Sequence, residues 1–262
     1  MGASDVEIRR PDPEVGSVPY RRSVRCSVVV PAHNEEVLLP RAVTSIRSAA
    51  RVLGADVEIV VVTNRCTDAT ASIAAAAGAV VVDSDARNIA AVRNAGVAHS
   101  SGDIVVTMDA DGVMADRALL EVHRRLAGGR YVGGGTKVRL DRTSAGIRTS
   151  IALVEVLTFV LRIGGGMFWC ERRDFDAIGG FDESLLLAED VEFARRLRSH
   201  GRRTGRRFAV LRDVPLVVSA RKFDRYGDWQ MLRMAGQLRE ITAALRGTDT
   251  VFVDRYFFDF NE

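Results

Sequence analysis

Between Cys26 and Met108, short β-branched runs alternate with longer stretches of helical period, and this alternation restricts the possible folds more than any other feature. Parallel strands need a long crossover, usually a helix, so the pattern predicts βαβ units and a mostly parallel α/β sheet. Ser27-Val28-Val29-Val30 reads as the first strand. The next segment places Leu39, Ala42, Val43, Ile46, Ala50 and Leu53 on one helical face. Glu58 to Val62 forms the second strand, a helix opens near Asp68, and Ala79 to Val82 forms the third. A helix from Asn88 to Ala98 and a strand ending at Met108 complete a half whose ligands collect at the strands' carboxyl ends.

Those strand ends carry the unusual residues. Pro31-Ala32-His33-Asn34-Glu35-Glu36 follows the first strand, Thr63-Asn64-Arg65-Cys66-Thr67-Asp68 the second, and Asp109-Ala110-Asp111 the fourth. Two carboxylates at a strand end suit Mg²⁺ or Mn²⁺, which are held by one or two carboxylates together with phosphate oxygens. The first turn has neither the G-x-G-x-x-G of a dinucleotide fold nor the G-x-x-x-x-G-K-[ST] of a P-loop, so phosphate charge must be met otherwise. A divalent cation on Asp109 and Asp111, with Arg87 or Arg93 beside it, meets that need.

The 262 residues, 47% hydrophobic and 27% charged, suffice for one large α/β domain or two small ones. A net charge of +3 and a pI near 9.0 are mildly basic. Arg202-Arg203 and Arg206-Arg207 form either a solvated face or a surface for phosphates, acidic partners or anionic lipid. No nucleic-acid partner is expected. Cys26, Cys66 and Cys170 lack metal-type spacing and are odd in number, which points to a reducing, cytoplasmic setting. Residues 1–22 read as a loose polar arm without a signal-peptide pattern. Ile151 to Ile163, carrying Glu155 and Arg162, falls short of the roughly 20 apolar residues of a spanning helix.

Four ordered blocks resemble the inverting family 2 glycosyltransferases of the GT-A fold. They are Val30 to Glu36; Val61 to Thr70; Arg93-Asn94-Ala95-Gly96 with Gly102-Asp103 and Asp109-Ala110-Asp111; and Arg172 through Gly179-Gly180-Phe181-Asp182-Glu183 to Glu189-Asp190. The resemblance implies a single GT-A domain over residues 23–225, with a nucleotide-binding half at 23–115 and an acceptor half at 116–225. A C-terminal helix and aromatic tail, 226–262, would follow. It also implies a metal-dependent transfer of one sugar from a nucleotide-sugar, a UDP-sugar first among donors. The acceptor would be a small molecule, a carrier-bound group or a lipid-linked sugar, in natural-product or cell-envelope biosynthesis.

Position by position, the resemblance places Pro31, Ala32, His33, Asn34 and Glu35 along the nucleoside. Asn64 stands where many members have a base-binding Asp, and Thr63 also replaces a common acid. Asp109 faces the ribose or shares the metal with Asp111, and Ala110 lies between them. An inverting transfer needs a carboxylate to take the acceptor proton, and Asp190 is assigned that role, with Glu189 orienting the acceptor or holding an arginine. Trp169 either stacks on an acceptor ring or packs in the core.

Gln230-Met231-Leu232-Arg233-Met234 keeps only part of the Q-x-x-R-W segment of processive synthases, which favours single transfer. The tail residues Phe252, Tyr256, Phe257, Phe258 and Phe260 call for burial on their own domain, over the acceptor, or on a second subunit of a homodimer. Two other classes use similar residues: a metal-dependent sugar nucleotidyltransferase, and a non-catalytic nucleotide-sugar-binding protein.

Overall fold

The computed structural model describes residues 25–149, 165–185 and 188–229. The expected N-terminal arm, the Ile151 to Ile163 segment and the chain from Gln230 onward lie outside the described residues. The strands are β1 (Cys26–Ala32), β2 (Val57–Asn64), β3 (Val80–Ser84), β4 (Ile104–Met108), β5 (Gly112–Val113), β6 (Tyr131–Leu140), β7 (Gly165–Glu171) and β8 (Arg207–Val218). The helices named here are α1 (Leu39–Leu53), α2 (Thr70–Ala76), α3 (Ile89–Ala98), α4 (Ala118–Ala127), α5 (Arg172–Ala177), α6 (Glu189–Arg203) and α7 (Arg221–Tyr226).

The eight strands among the described residues join one sheet in the order β3-β2-β1-β4-β7-β6-β8-β5. The first four are parallel, β7 runs antiparallel to both β4 and β6, and β8 pairs parallel with β6. This is the mixed α/β, largely parallel sheet that the alternating runs predicted. The strands extend one to two residues past their apolar cores, because Ala32, Thr63, Asn64, Asp83 and Ser84 still keep the parallel register.

Side chains alternate across the sheet and define two cores. Val28, Val30, Val61, Val106, Met108, Met167 and Trp169 pack with α1, α2 and α4 on one face. Val29, Val60, Val62, Val105, Phe168 and Cys170 pack with α3, α5 and α6 on the other. Burial on both faces explains why the central strands read as unbroken apolar runs. On α1 the inward stripe is Leu39, Ala42, Val43, Ser45, Ile46 and Ala49. Ala49 is therefore buried where Ala50 was expected, and Ala50 is half-buried on the flank of the stripe.

Two features of the second face set the site. Phe168, Phe175, Phe181 and Phe193 form an aromatic cluster, with Phe181 and Phe193 stacked at 4.2 Å between centroids. Helix α3 lies unusually close to the sheet at Gly96, where an added Cβ would come 2.3 Å from Val29 Cγ1 and 2.7 Å from Val62 Cγ2.

Candidate active site

Two loops at the carboxyl edge of the sheet are laced together through backbone and side chains. The Thr67 N–H donates to Asn34 Oδ1 at 2.8 Å, and the Glu35 N–H donates to Thr70 Oγ1 at 2.8 Å. The Glu36 N–H reaches Asp68 Oδ2 at 3.0 Å, and the Ala69 N–H reaches Glu36 Oε2 at 3.0 Å. His33 Nδ1 lies 2.7 Å from the Asn64 carbonyl. The first and second sequence blocks thus form one rigid turn pair.

Among the described residues, the three non-glycine positions with positive φ are Asn34 (50°), Arg65 (51°) and Ala188 (59°). All three lie on the site's loops. Left-handed backbone at a residue with a Cβ is costly, and such strain concentrates where geometry matters for function.

Arg93 is the centre of the arrangement. It is only 8% exposed, and its guanidinium donates to Asp109 Oδ1 at 2.8 Å and to Glu189 Oε1 at 2.6 Å. Its Cζ lies 5.3 Å from the Phe181 ring centroid, within cation–π range. Burial alone would lower the arginine's proton affinity. The Asp109 and Glu189 carboxylates outweigh that and raise it, so Arg93 is firmly cationic. One side chain therefore joins the end of β4 to the start of α6, Glu189 lying 96 positions from Arg93.

The two acids opening α6 respond differently from surface acids. Glu189 is buried, which pushes its carboxyl up; Arg93 pulls it back and Asp190 raises it further. Burial likewise raises Asp190, opposed by Arg93 and by the Val191 N–H, with Asp109 adding to the rise. A carboxyl raised in this way holds a proton more strongly than a solvated one, as a group that must accept one should.

Asparagines on α3 hold the glycine-rich loop before α6. Asn94 Nδ2 donates to the Phe181 carbonyl at 2.9 Å and to Glu183 Oε1 at 2.8 Å, while the Phe181 N–H donates to Asn94 Oδ1 at 2.9 Å. Asn88 caps α3 through the Ala90 N–H and donates to the Glu183 and Leu185 carbonyls. Gly180, at φ +67°, leaves room for Asn94, whose Oδ1 an added Cβ would meet at 2.7 Å.

Asp109 and Asp111 flank Ala110, which is buried in the core, so the turn between β4 and β5 points its alanine inward. Asp109 is 44% exposed at the side chain and Asp111 is partly buried. The Ser219 N–H donates to the Asp111 carbonyl at 3.2 Å, bringing the end of β8 against this turn. From there Arg221 ion-pairs with the buried Glu35, closing the edge across 186 positions. Among the described residues no three His, Cys, Asp or Glu side chains gather as metal ligands. Two carboxylates still fit Mg²⁺ or Mn²⁺, which keep water and phosphate oxygens in most positions.

The structure brings Asp109, Arg93, Glu189 and Asp190 together, and groups His33, Asn34, Glu35 and Asn64 beside them. Other expectations are corrected. Trp169 is fully buried, and its Nε1–H donates to the Gly135 carbonyl at 3.3 Å, so it packs in the core and offers no face to an acceptor. The cause is register: Trp169 sits opposite Val106 and Gly134 in the middle of the sheet. Pro31, Ala32 and Ala110 are also interior, which leaves only their backbone to a ligand. Arg87 is exposed on the β3–α3 loop, and among the described residues no hydrogen bond or ion pair joins it to Asp109 or Asp111. The Glu35–Arg221 pair and the Asn88 and Asn94 clamps were missed; an asparagine before a helical run signals a cap, but its second contact is tertiary.

Among curated proteins, none matches this chain. Solved structures do. The mannosyltransferase PcManGT from Pyrobaculum calidifontis, in complex with GDP-Man and Mn²⁺, superposes with a TM-score of 0.62 at 22% identity over 86% of this chain and 67% of that one. S. aureus TarS 1-349 with UDP-GlcNAc gives 0.61 at 17% identity, over 90% of this chain and 71% of that one. Glucosyl-3-phosphoglycerate synthase from Mycobacterium tuberculosis, with Mn²⁺ and UDP-glucose, gives 0.57 at 21% identity, over 86% and 78%. Other TarS matches cover 63% of the 1-349 chain and 42% of the longer one, so this chain spans well under two thirds of full TarS. At these identities the shared property is the GT-A fold. The model described as "Glycosyl transferase family 2" matches residues 27–177, ending before Glu189 and Asp190. With more than half of its length matched and the sheet edge arranged as above, the chain belongs to glycosyl transferase family 2.

Proposed function

We propose that this protein transfers one sugar, with inversion, from a nucleoside-diphosphate sugar to an acceptor hydroxyl, and that Asp190 takes the acceptor proton. The observation that carries the proposal is the Arg93 bridge, which ties Asp109 of the donor loop to Glu189, next to Asp190. In the transfer, the acceptor oxygen attacks the anomeric carbon from the face opposite the diphosphate. Its proton passes to an Asp190 carboxylate oxygen, and the bond to the leaving phosphate oxygen breaks with its electron pair. Glu189, fixed by Arg93, keeps the start of α6 in place.

Asp111, with Asp109, would hold a divalent cation, which when bound neutralises charge on the leaving diphosphate. Solved neighbours of the same fold were obtained with Mn²⁺ and UDP- or GDP-sugars, which supports this donor class. A UDP-sugar is the first donor to test. The acceptor is a small molecule, a carrier-bound group or a lipid-linked sugar, and no helix among the described residues is long and apolar enough to cross a membrane.

The test is a donor panel of UDP- and GDP-sugars with Mn²⁺, scored for free nucleoside diphosphate and for product anomeric configuration. Nucleoside diphosphate with an inverted product is expected. Formation of nucleoside triphosphate and sugar 1-phosphate when pyrophosphate is added to the panel would instead indicate a nucleotidyltransferase. Asp190→Asn should bind donor normally yet lose turnover by about 10²- to 10⁴-fold; near-normal turnover would remove Asp190 as the base.

A further inference from the structure

A cleft of about 410 Å³ opens at the carboxyl ends of β2 and β3, its walls including Thr63, Arg65, Cys66, Asp68, Asp83 and Asp85. That size lies within the roughly 300–1,000 Å³ of small-molecule sites, and strand ends are where such sheets bind ligands. Asn64, where base reading was expected, is only 3% exposed and is not part of this wall.

Strand pairing sets Thr63 directly opposite Asp83. The buried Thr63 hydroxyl donates to Asp83 Oδ1, with a weaker approach to the Val82 carbonyl at 3.3 Å. Asp83 itself is exposed, and its Oδ2 has no protein partner among the described residues. One carboxylate oxygen is therefore held by Thr63, on a residue that lines the cleft and is open to solvent. Asp68 differs, because the Thr70 and Glu36 N–H groups occupy its two oxygens.

The charge of the cleft narrows the ligand. Three carboxylates face one guanidinium there, so the cleft repels a diphosphate and favours an uncharged ring that presents an N–H. Resting on the donor-site reading above, we propose that Asp83 reads the donor base by accepting its ring N–H, selecting uracil, thymine or guanine over cytosine and adenine. The last two present a ring nitrogen acceptor at the same edge, which a carboxylate opposes. The acidic group that Thr63 lacks on β2 is thus supplied from the neighbouring strand, with Thr63 as its positioning partner.

Calorimetric titration of the full chain with UDP, GDP, CDP and ADP, in Mn²⁺, tests this with wild type, Asp83→Asn and Asp83→Ala. Wild type should bind UDP or GDP at least tenfold tighter than CDP and ADP. Loss of one charge-assisted hydrogen bond should weaken the preferred nucleotide by about 10- to 100-fold in either variant. In Asp83→Asn the Thr63 hydroxyl holds the amide oxygen and turns the NH₂ toward the base, so CDP should not weaken. Melting temperatures should stay at the wild-type value, because Asp83 is exposed. Unchanged affinities in both variants, or equal weakening of all four nucleotides, would overturn the base-reading role. A wild-type preference for CDP or ADP would do so too, while leaving the donor-site reading intact. Failure of wild type to bind any of the four would overturn the donor-site reading and this inference with it.

Discussion

Replacing Arg93 by Met tests the whole arrangement, because it removes the charge while keeping most of the volume. Arg93 and Glu189 are 10% and 12% exposed at their side chains, whereas Asp109 is 44% exposed. Solvent screens the Asp109 arm, so that arm contributes little to stability. The Glu189 arm is different: removing one partner of a buried pair leaves an uncompensated charge and costs about 3–5 kcal/mol. The lost contact with the Phe181 ring adds about 0.5–1 kcal/mol at most. With domains of this size moving about 2–4 °C per kcal/mol, the melting point should fall by about 6–24 °C. Denaturant melts of Arg93→Met, Glu189→Gln and the double variant measure the coupling directly. Because the amide carries no charge to strand, the double variant should be less destabilised than the sum of the singles by about 1–3 kcal/mol. A single-variant loss below about 1 kcal/mol, or additivity within about 0.5 kcal/mol, would refute the claim that this bridge organises the site. Arg93→Lys should recover little, since one ammonium cannot fork between two carboxylates.

Asp190→Asn should change stability with a definite sign. Its carboxyl is raised in the folded protein, so the folded state binds that proton more tightly than the unfolded chain; wild-type stability is fullest below the ordinary Asp value and falls as pH rises through the folded one. The variant's melting temperature relative to wild type should therefore climb between pH 4 and pH 8, and a flat or falling difference would contradict the raised carboxyl. Asp111→Ala should abolish the Mn²⁺-dependent thermal shift produced by UDP or GDP; a shift equal to wild type's would remove Asp111 from the cation site. Buried Asp174 accepts both nitrogens of Arg206, at 2.7 and 2.6 Å, and lies 3.0 Å from His200 Nε2, so Asp174→Ala should cost about 3–5 kcal/mol in denaturant melts. Gly96→Ala should lose about 1–3 kcal/mol by overpacking against Val29 and Val62, and wild-type stability would show that α3 shifts freely.

The order of the strands and helices from Cys26 to Met108 was written in the sequence, because a strand buried on both faces must be apolar at every position and a covering helix must repeat every 3.6 residues. The acids at the strand ends were legible for the same reason: Asp109 and Asp111 interrupt an apolar run where a sheet has no further use for charge. Periodicity does not report which residues far apart in sequence meet. Trp169 and Asp109 look equally functional as letters, yet pairing opposite Val106 and Gly134 buries the first, while the turn after β4 exposes the second. Arg93 reads as one arginine on a helix, and only the packing of α3 against the Phe181 loop and α6 gives it two carboxylates to join. Asp83 reads as a polar strand end until the register sets it across from Thr63. Local sequence determined which segments fold and which residues carry charge; tertiary structure decided which charges are buried together, because burial and pairing depend on neighbours that the chain brings in from nearly a hundred positions away.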